Sequence, residues 1–149
     1  MKIMARYLIS VVFLLCTAGC ASGPTYEEYS STIEPPLPLD GRIYIYRTNA
    51  FGAAVQPTVM VNGENVGKAN LKSFFYVDRL AGKYDVSAPI KAARSLSLIL
   101  EEGEVKYVRI DVKMGVFGGH IEPVLVDKAV GEQELKSLNY TSEQAVAAR

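Results

Sequence analysis

Tryptophan is absent from these 149 residues, histidine occurs once, as His120, and cysteine only twice, as Cys16 and Cys20. A metal pair at the cysteines therefore has no credible further ligands, and no metal site is expected. Excess charge is absent as well: sixteen Lys and Arg balance sixteen Asp and Glu, so no strong field exists to draw in nucleic acid. The Gly-x-Ser-x-Gly pattern of a nucleophile elbow does not occur, and His120 has no paired nucleophile motif near it in sequence. The apolar run Tyr7 to Gly19 is thirteen residues long, short of the roughly 20 that a membrane-spanning helix needs. What the chain does have is a 49% hydrophobic share and many Tyr, Phe, Val and Ile, the composition of one globular, strand-rich domain.

The first six residues, MKIMAR, carry two positive charges and no negative one. A positive start, an apolar core and small residues behind it form the pattern of a signal peptide. Within "LLCTAGCAS", Thr17-Ala18-Gly19-Cys20 resembles the lipobox of bacterial lipoproteins, with Thr17 where Leu is usual. That resemblance implies a diacylglycerol on the Cys20 thiol, cleavage before Cys20 and acylation of the new amino group. Cys16 follows the bulky Leu15 and is the poorer site, and a Cys16–Cys20 disulfide would close a trivial loop. Two or three acyl chains on one residue anchor a protein to a bilayer, where one alone is marginal. Ala21 stands after Cys20 where an Asp would suggest inner-membrane retention. The expectation is a lipid-anchored protein of the bacterial envelope, on the periplasmic face of the outer membrane.

Four domain segments are expected: a signal peptide over 1–19, a lipidated Pro-rich tether over 20–40, a β-sandwich over 41–138 and a flexible tail over 139–149. Pro24, Pro35, Pro36 and Pro38 favour extended backbone in the tether, which at full stretch would reach about 60 Å. From Gly41 the period is two. Ile43 and Ile45 alternate with Tyr44 and Tyr46; Asn62-Gly63 marks a hairpin; Ala81-Gly82 and Glu102-Gly103 mark further turns. Asp127 stands where it can cap a short helix ending near Leu138. The expected fold is an all-β antiparallel sandwich, Ig-like or transthyretin-like, of seven or eight strands with a short C-terminal helix.

The pieces "GRIYIYR", "VMVNGENVGKA", "SFFYVDRLAGKYDVSA", "LEEGEVKYVRIDV" and "IEPVLVDKAVGEQELKSL", in that order, cover about two thirds of the chain. Together they resemble the bacterial lipoproteins grouped as domain of unknown function 2846. The middle of the chain also resembles PEGA-type β modules. The resemblance implies an envelope β-domain and brings no catalytic residues with it.

Gly63 to Lys68 has three residues between its glycines where a phosphate-binding loop has four, and it belongs to a hairpin. Glu101, Glu102 and Glu104 surround a tight turn and read as solvated charges. The candidate binding surface is aromatic: Tyr44 and Tyr46 on their strand face, with Phe51 and Phe117 in mobile, glycine-flanked loops. The expected function is non-enzymatic, without catalytic residues or cofactor. The partners are the lipid bilayer through acylated Cys20 and an envelope protein or glycan through the β-domain. The alternatives are an envelope hydrolase acting on glycan or peptide, and a structural or stress-response lipoprotein without a dedicated ligand.

Overall fold

Asn62 and Gly63 both adopt positive φ, 51° and 80°, the conformation that lets a two-residue turn match the twist of the strands it joins. The hairpin around them belongs to a computed structural model that describes residues 23–48, 50–52, 54–89, 94–115 and 118–141. Its elements are α1 (Tyr26–Ser30), β1 (Asp40–Arg47), β2 (Thr58–Val61), β3 (Glu64–Lys68), β4 (Ser73–Leu80) and β5 (Gly82–Ser87). They continue with β6 (Ser95–Leu100), β7 (Val105–Gly115), β8 (Gly118–Val126), α2 (Lys128–Leu135) and β9 (Asn139–Tyr140).

The strands form two sheets, ordered β8-β7-β1-β4-β9 and β3-β2-β5-β6. This is the expected all-β sandwich, with two differences in detail. Among the described residues nine strands are present, and the larger sheet is mixed: β1 pairs parallel to β7, and β4 parallel to β9. Turn signals specify only strands adjacent in sequence, which pair antiparallel; the two parallel pairs join strands far apart in the chain.

The alternation read from the sequence places Ile43, Ile45, Phe75, Val77, Val108 and Ile110 on the inner face of the larger sheet. They meet Val59, Val61, Val86, Leu98 and Leu100 of the smaller sheet in one core. Each such side chain, removed from water, contributes roughly 1.5–3 kcal/mol before the entropy of ordering is subtracted.

The outer face of the larger sheet is also covered, and here two segment expectations are corrected. The Pro-rich stretch read as a free tether docks on the domain from Pro24 onward. Thr25 caps α1 through a reciprocal pair of bonds with Glu28, and Tyr26, Tyr29 and Ile33 pack against the sheet. The tail expected to begin at 139 instead starts with β9, whose Tyr140 amide donates to the Pro24 carbonyl at 2.8 Å. Aromatic side chains spaced to lie on one face explain the docking: Tyr29 stacks on Tyr140 at 3.8 Å, and Tyr26 meets Phe74 edge-on at 5.3 Å. α2 closes the same face with Leu135, and Leu138 in the turn after it packs there too. Asp127 precedes it as expected, but its side chain makes no capping bond. No helix of the described residues is long and apolar enough to cross a membrane.

Candidate functional site

Tyr44 and Tyr46 lie on the outward face of β1, as their alternation requires, yet they are not a binding surface. Tyr46 is fully buried and Tyr44 nearly so, because α1, α2 and β9 form a third layer over them. Seven tyrosines gather there with Phe74. Tyr44 stacks on Tyr107 at 5.5 Å, and the Arg42 guanidinium lies 4.1 Å from the Tyr76 ring centre. The Tyr46 hydroxyl donates to Glu134 of α2 at 2.6 Å, and Arg109 holds the same carboxylate at 2.7 Å while also pairing with Asp111. Burial, and then the bond to Glu134, raises the Tyr46 pKa well above the ordinary phenol value. Burial alone would lower the pKa of Arg42, but its bonds to Asp78 outweigh that and raise it. The layer is a second core with a satisfied polar network.

Phe51 is 46% exposed, in a loop that is pinned where the sequence suggested mobility. Arg47, at the end of β1, is completely buried and donates to the carbonyls of Phe51, Gly52 and Val55 at 2.8, 2.9 and 2.5 Å. Burial lowers its pKa. Phe117 and Cys20 lie outside the described residues. His120 is half-buried in β8 opposite Lys113, and Glu122, two residues on, pairs with Lys113 at 2.6 Å and Arg94 at 3.1 Å. Those two bonds hold the Glu122 carboxyl below its usual range, the Lys113 bond being the larger cause. Among the described residues no three His, Cys, Asp or Glu side chains are grouped to hold a metal ion. Glu104 pairs with Lys106 at 2.6 Å and accepts the Glu101 amide, which structures the acidic turn.

Sequence reasoning missed a groove where the two sheets part. It occupies ≈ 570 Å³ and is lined by Lys83, Tyr84 and Asp85 of β5, Ser97, Leu98 and Ile99 of β6, Lys106 of β7 and Leu125 of β8. β6 and β8 are the edge strands of their sheets. Ile99 is 59% exposed and Leu125 43%. The Ser97 hydroxyl bonds to Asp85, and Tyr84 donates to the Leu80 carbonyl at 2.7 Å. An apolar floor flanked by hydroxyls, a carboxylate and two ammonium groups suits an extended polymer with both apolar and polar groups. The lining comes from four strands up to 42 positions apart, so no local motif announces it.

The family model described as a protein of unknown function (DUF2846) matches residues 40–121, from the first residue of β1 into β8. An uncharacterized protein of Haemophilus influenzae (strain ATCC 51907 / DSM 11121 / KW20 / Rd) is 29% identical over 143 residues, covering 93% of this chain and 84% of that protein. No solved structure matches the chain.

Proposed function

We propose, from the premise that this chain belongs to the DUF2846 family of proteins of unknown function, that it is a non-enzymatic lipoprotein of the bacterial envelope, anchored through Cys20. Its β-domain binds an envelope protein or glycan in the groove between β6 and β8. The observation that carries the binding reading is that groove, an exposed concavity in which apolar side chains and hydroxyls converge. The anchor reading is supported by the signal-like first nineteen residues and the Ala18-Gly19-Cys20 match to a lipobox. The outer membrane is the favoured location, since Ala21 and no Asp follows Cys20.

Two measurements on the protein produced at native level in its cell test the two parts. Mass spectrometry of the mature N-terminus is expected to find a multiply acylated Cys20; an unmodified Cys20, or a chain starting elsewhere, would sink the anchor. A photoreactive residue at Ile99 is expected to give a discrete crosslinked partner that the same residue at Val130, on exposed α2, does not give. Identical patterns at both positions would sink the groove.

A further inference from the structure

The two ends of the sandwich differ in charge, and the chain leading back to Cys20 leaves from one of them. Four register pairs mark that end: Arg47 with Ser73, Thr58 with Lys68, Ser87 with Ser95, and Gly115 with Gly118. Contacts tie its loops together. Arg47 binds the carbonyls of both the β1–β2 loop and Ala69, Gly52 approaches Val112, and Arg94 reaches Glu122.

Three apolar side chains protrude there: Phe51, Val55 and Met114, the last 72% exposed. Around them stand the exposed cations Lys68, Lys72, Arg94 and Lys113; the carboxylates there are Glu122, held by Arg94 and Lys113, and Glu27 and Glu28 in the first turn of α1 beside Pro24. The opposite end is acidic, with Glu34, Asp40, Glu101, Glu102 and Glu104, of which Glu104 is paired with Lys106.

We propose that the Phe51–Val55–Met114 end rests on the bilayer surface, so that the domain docks on its own anchor membrane and turns the β6–β8 groove away from it. The inference rests on the lipid-anchor reading of Cys20. Pro24 is fixed at this same end by its bond to the Tyr140 amide, and the Asn139 amide bonds to the Lys72 carbonyl beside it. Three residues stand between Cys20 and Pro24, so the two are at most about 14 Å apart even when fully extended. β7 alone, at eleven residues, runs about 36 Å from one end of the sheet to the other. An anchored domain therefore cannot stand on its acidic end, and lying flat would bring Asp40 and the Glu101–Glu104 turn against anionic headgroups. Resting on the basic end gives three apolar side chains an interface to enter and places Lys68 and Lys72, with Arg94 and Lys113 sharing Glu122 beside them, in the negative surface potential of the lipid.

Because the natural chain has no tryptophan, a single introduced indole reports its own surroundings. The lipidated full chain, carrying Phe51→Trp, Met114→Trp or, at the acidic end, Leu80→Trp, is reconstituted in vesicles of phosphatidylethanolamine and phosphatidylglycerol with brominated acyl chains. Met114 and Leu80 are both well exposed, so neither substitution disturbs the core. Emission from positions 51 and 114 is expected to be quenched roughly twofold relative to position 80. Replacing Lys68 and Lys72 by Glu in the Met114→Trp chain is expected to weaken that quenching. A chain that does not float with the vesicles overturns the anchor and the docking together. A chain that floats with positions 51 and 114 unquenched, or with position 80 quenched equally, overturns the docking alone. Undiminished quenching in the double Glu variant overturns the part assigned to the cations.

Discussion

Arg42 and Asp78 stand directly opposite each other in the β1–β4 register, and the guanidinium grips both carboxylate oxygens at 2.7 Å. Arg42 is 5% exposed and also donates to the Glu34 carbonyl at 2.7 Å, which fastens the N-terminal segment to the sheet. Removing Asp78 would leave a buried cation half satisfied. Asp78→Ala is expected to lower the unfolding free energy by about 3 kcal/mol, read from urea denaturation followed by circular dichroism. A loss below about 1 kcal/mol, the range of exposed ion pairs, would show that solvent already screens this one.

Gly131 sits where α2 crosses Tyr107. A Cβ built on it would lie 2.4 Å from the Tyr107 Cγ, closer than any relaxed contact, and both residues are buried. Gly131→Ala improves helix propensity and still is expected to destabilise by about 1–3 kcal/mol, because the ring cannot retreat without unstacking from Tyr44. Val130→Ala, one residue earlier and 46% exposed, is expected to change stability by less than about 0.5 kcal/mol. Parallel thermal melts of the two variants make the comparison; equal melting temperatures would refute the close approach.

Much of the sandwich was readable because its signals are local. Ile43 and Ile45 declare an inner face by alternation, and Asn62-Gly63 declares its turn by the positive φ that few other pairs accept. What could not be read was which outward face would be covered. Tyr44 and Tyr46 look equally suited to a binding surface or a second core, and the choice is made by α1, α2 and β9 together, of which α1 is a helix of five residues too short to show a period. Its one legible mark was Thr25-x-x-Glu28, a capping box preceding Tyr29, which the neighbouring prolines obscured. The groove was illegible for a different reason: its walls come from four strands whose proximity depends on how two sheet edges meet.

Arg47 is a buried cation whose bonds run to backbone carbonyls, so its role is to give the β1–β2 loop an inner hydrogen-bonding partner. Arg47→Lys keeps the charge but offers three donors from one point, which cannot reach the Phe51, Gly52 and Val55 carbonyls together. The variant is expected to lose about 2–3 kcal/mol of stability and to become sensitive to limited proteolysis between β1 and β2. Cleavage in that loop no faster than in the parent chain would argue that the loop holds its shape without the guanidinium.

The tyrosine layer makes stability depend on alkaline pH. Tyr26, Tyr29, Tyr44, Tyr46, Tyr76 and Tyr107 all have pKa values raised above the ordinary 10.0, burial being the first cause for each. Tyr44, Tyr46 and Tyr107 are the most enclosed and carry most of the effect. A group that holds its proton more tightly folded than unfolded stabilises fully below its unfolded pKa and loses that stabilisation as pH rises through the folded value. The urea midpoint is therefore expected to stay level with respect to these groups up to about pH 9 and to fall steadily above about pH 10. Tyrosinate absorbance should appear together with the loss of β-sheet signal. Tyr46→Phe removes one of these protons and also the bond to Glu134, so it is expected to be less stable at neutral pH and to show a shallower alkaline decline. Complete tyrosinate formation near pH 10 in a chain whose sheet signal is intact would mean that the layer is open to solvent.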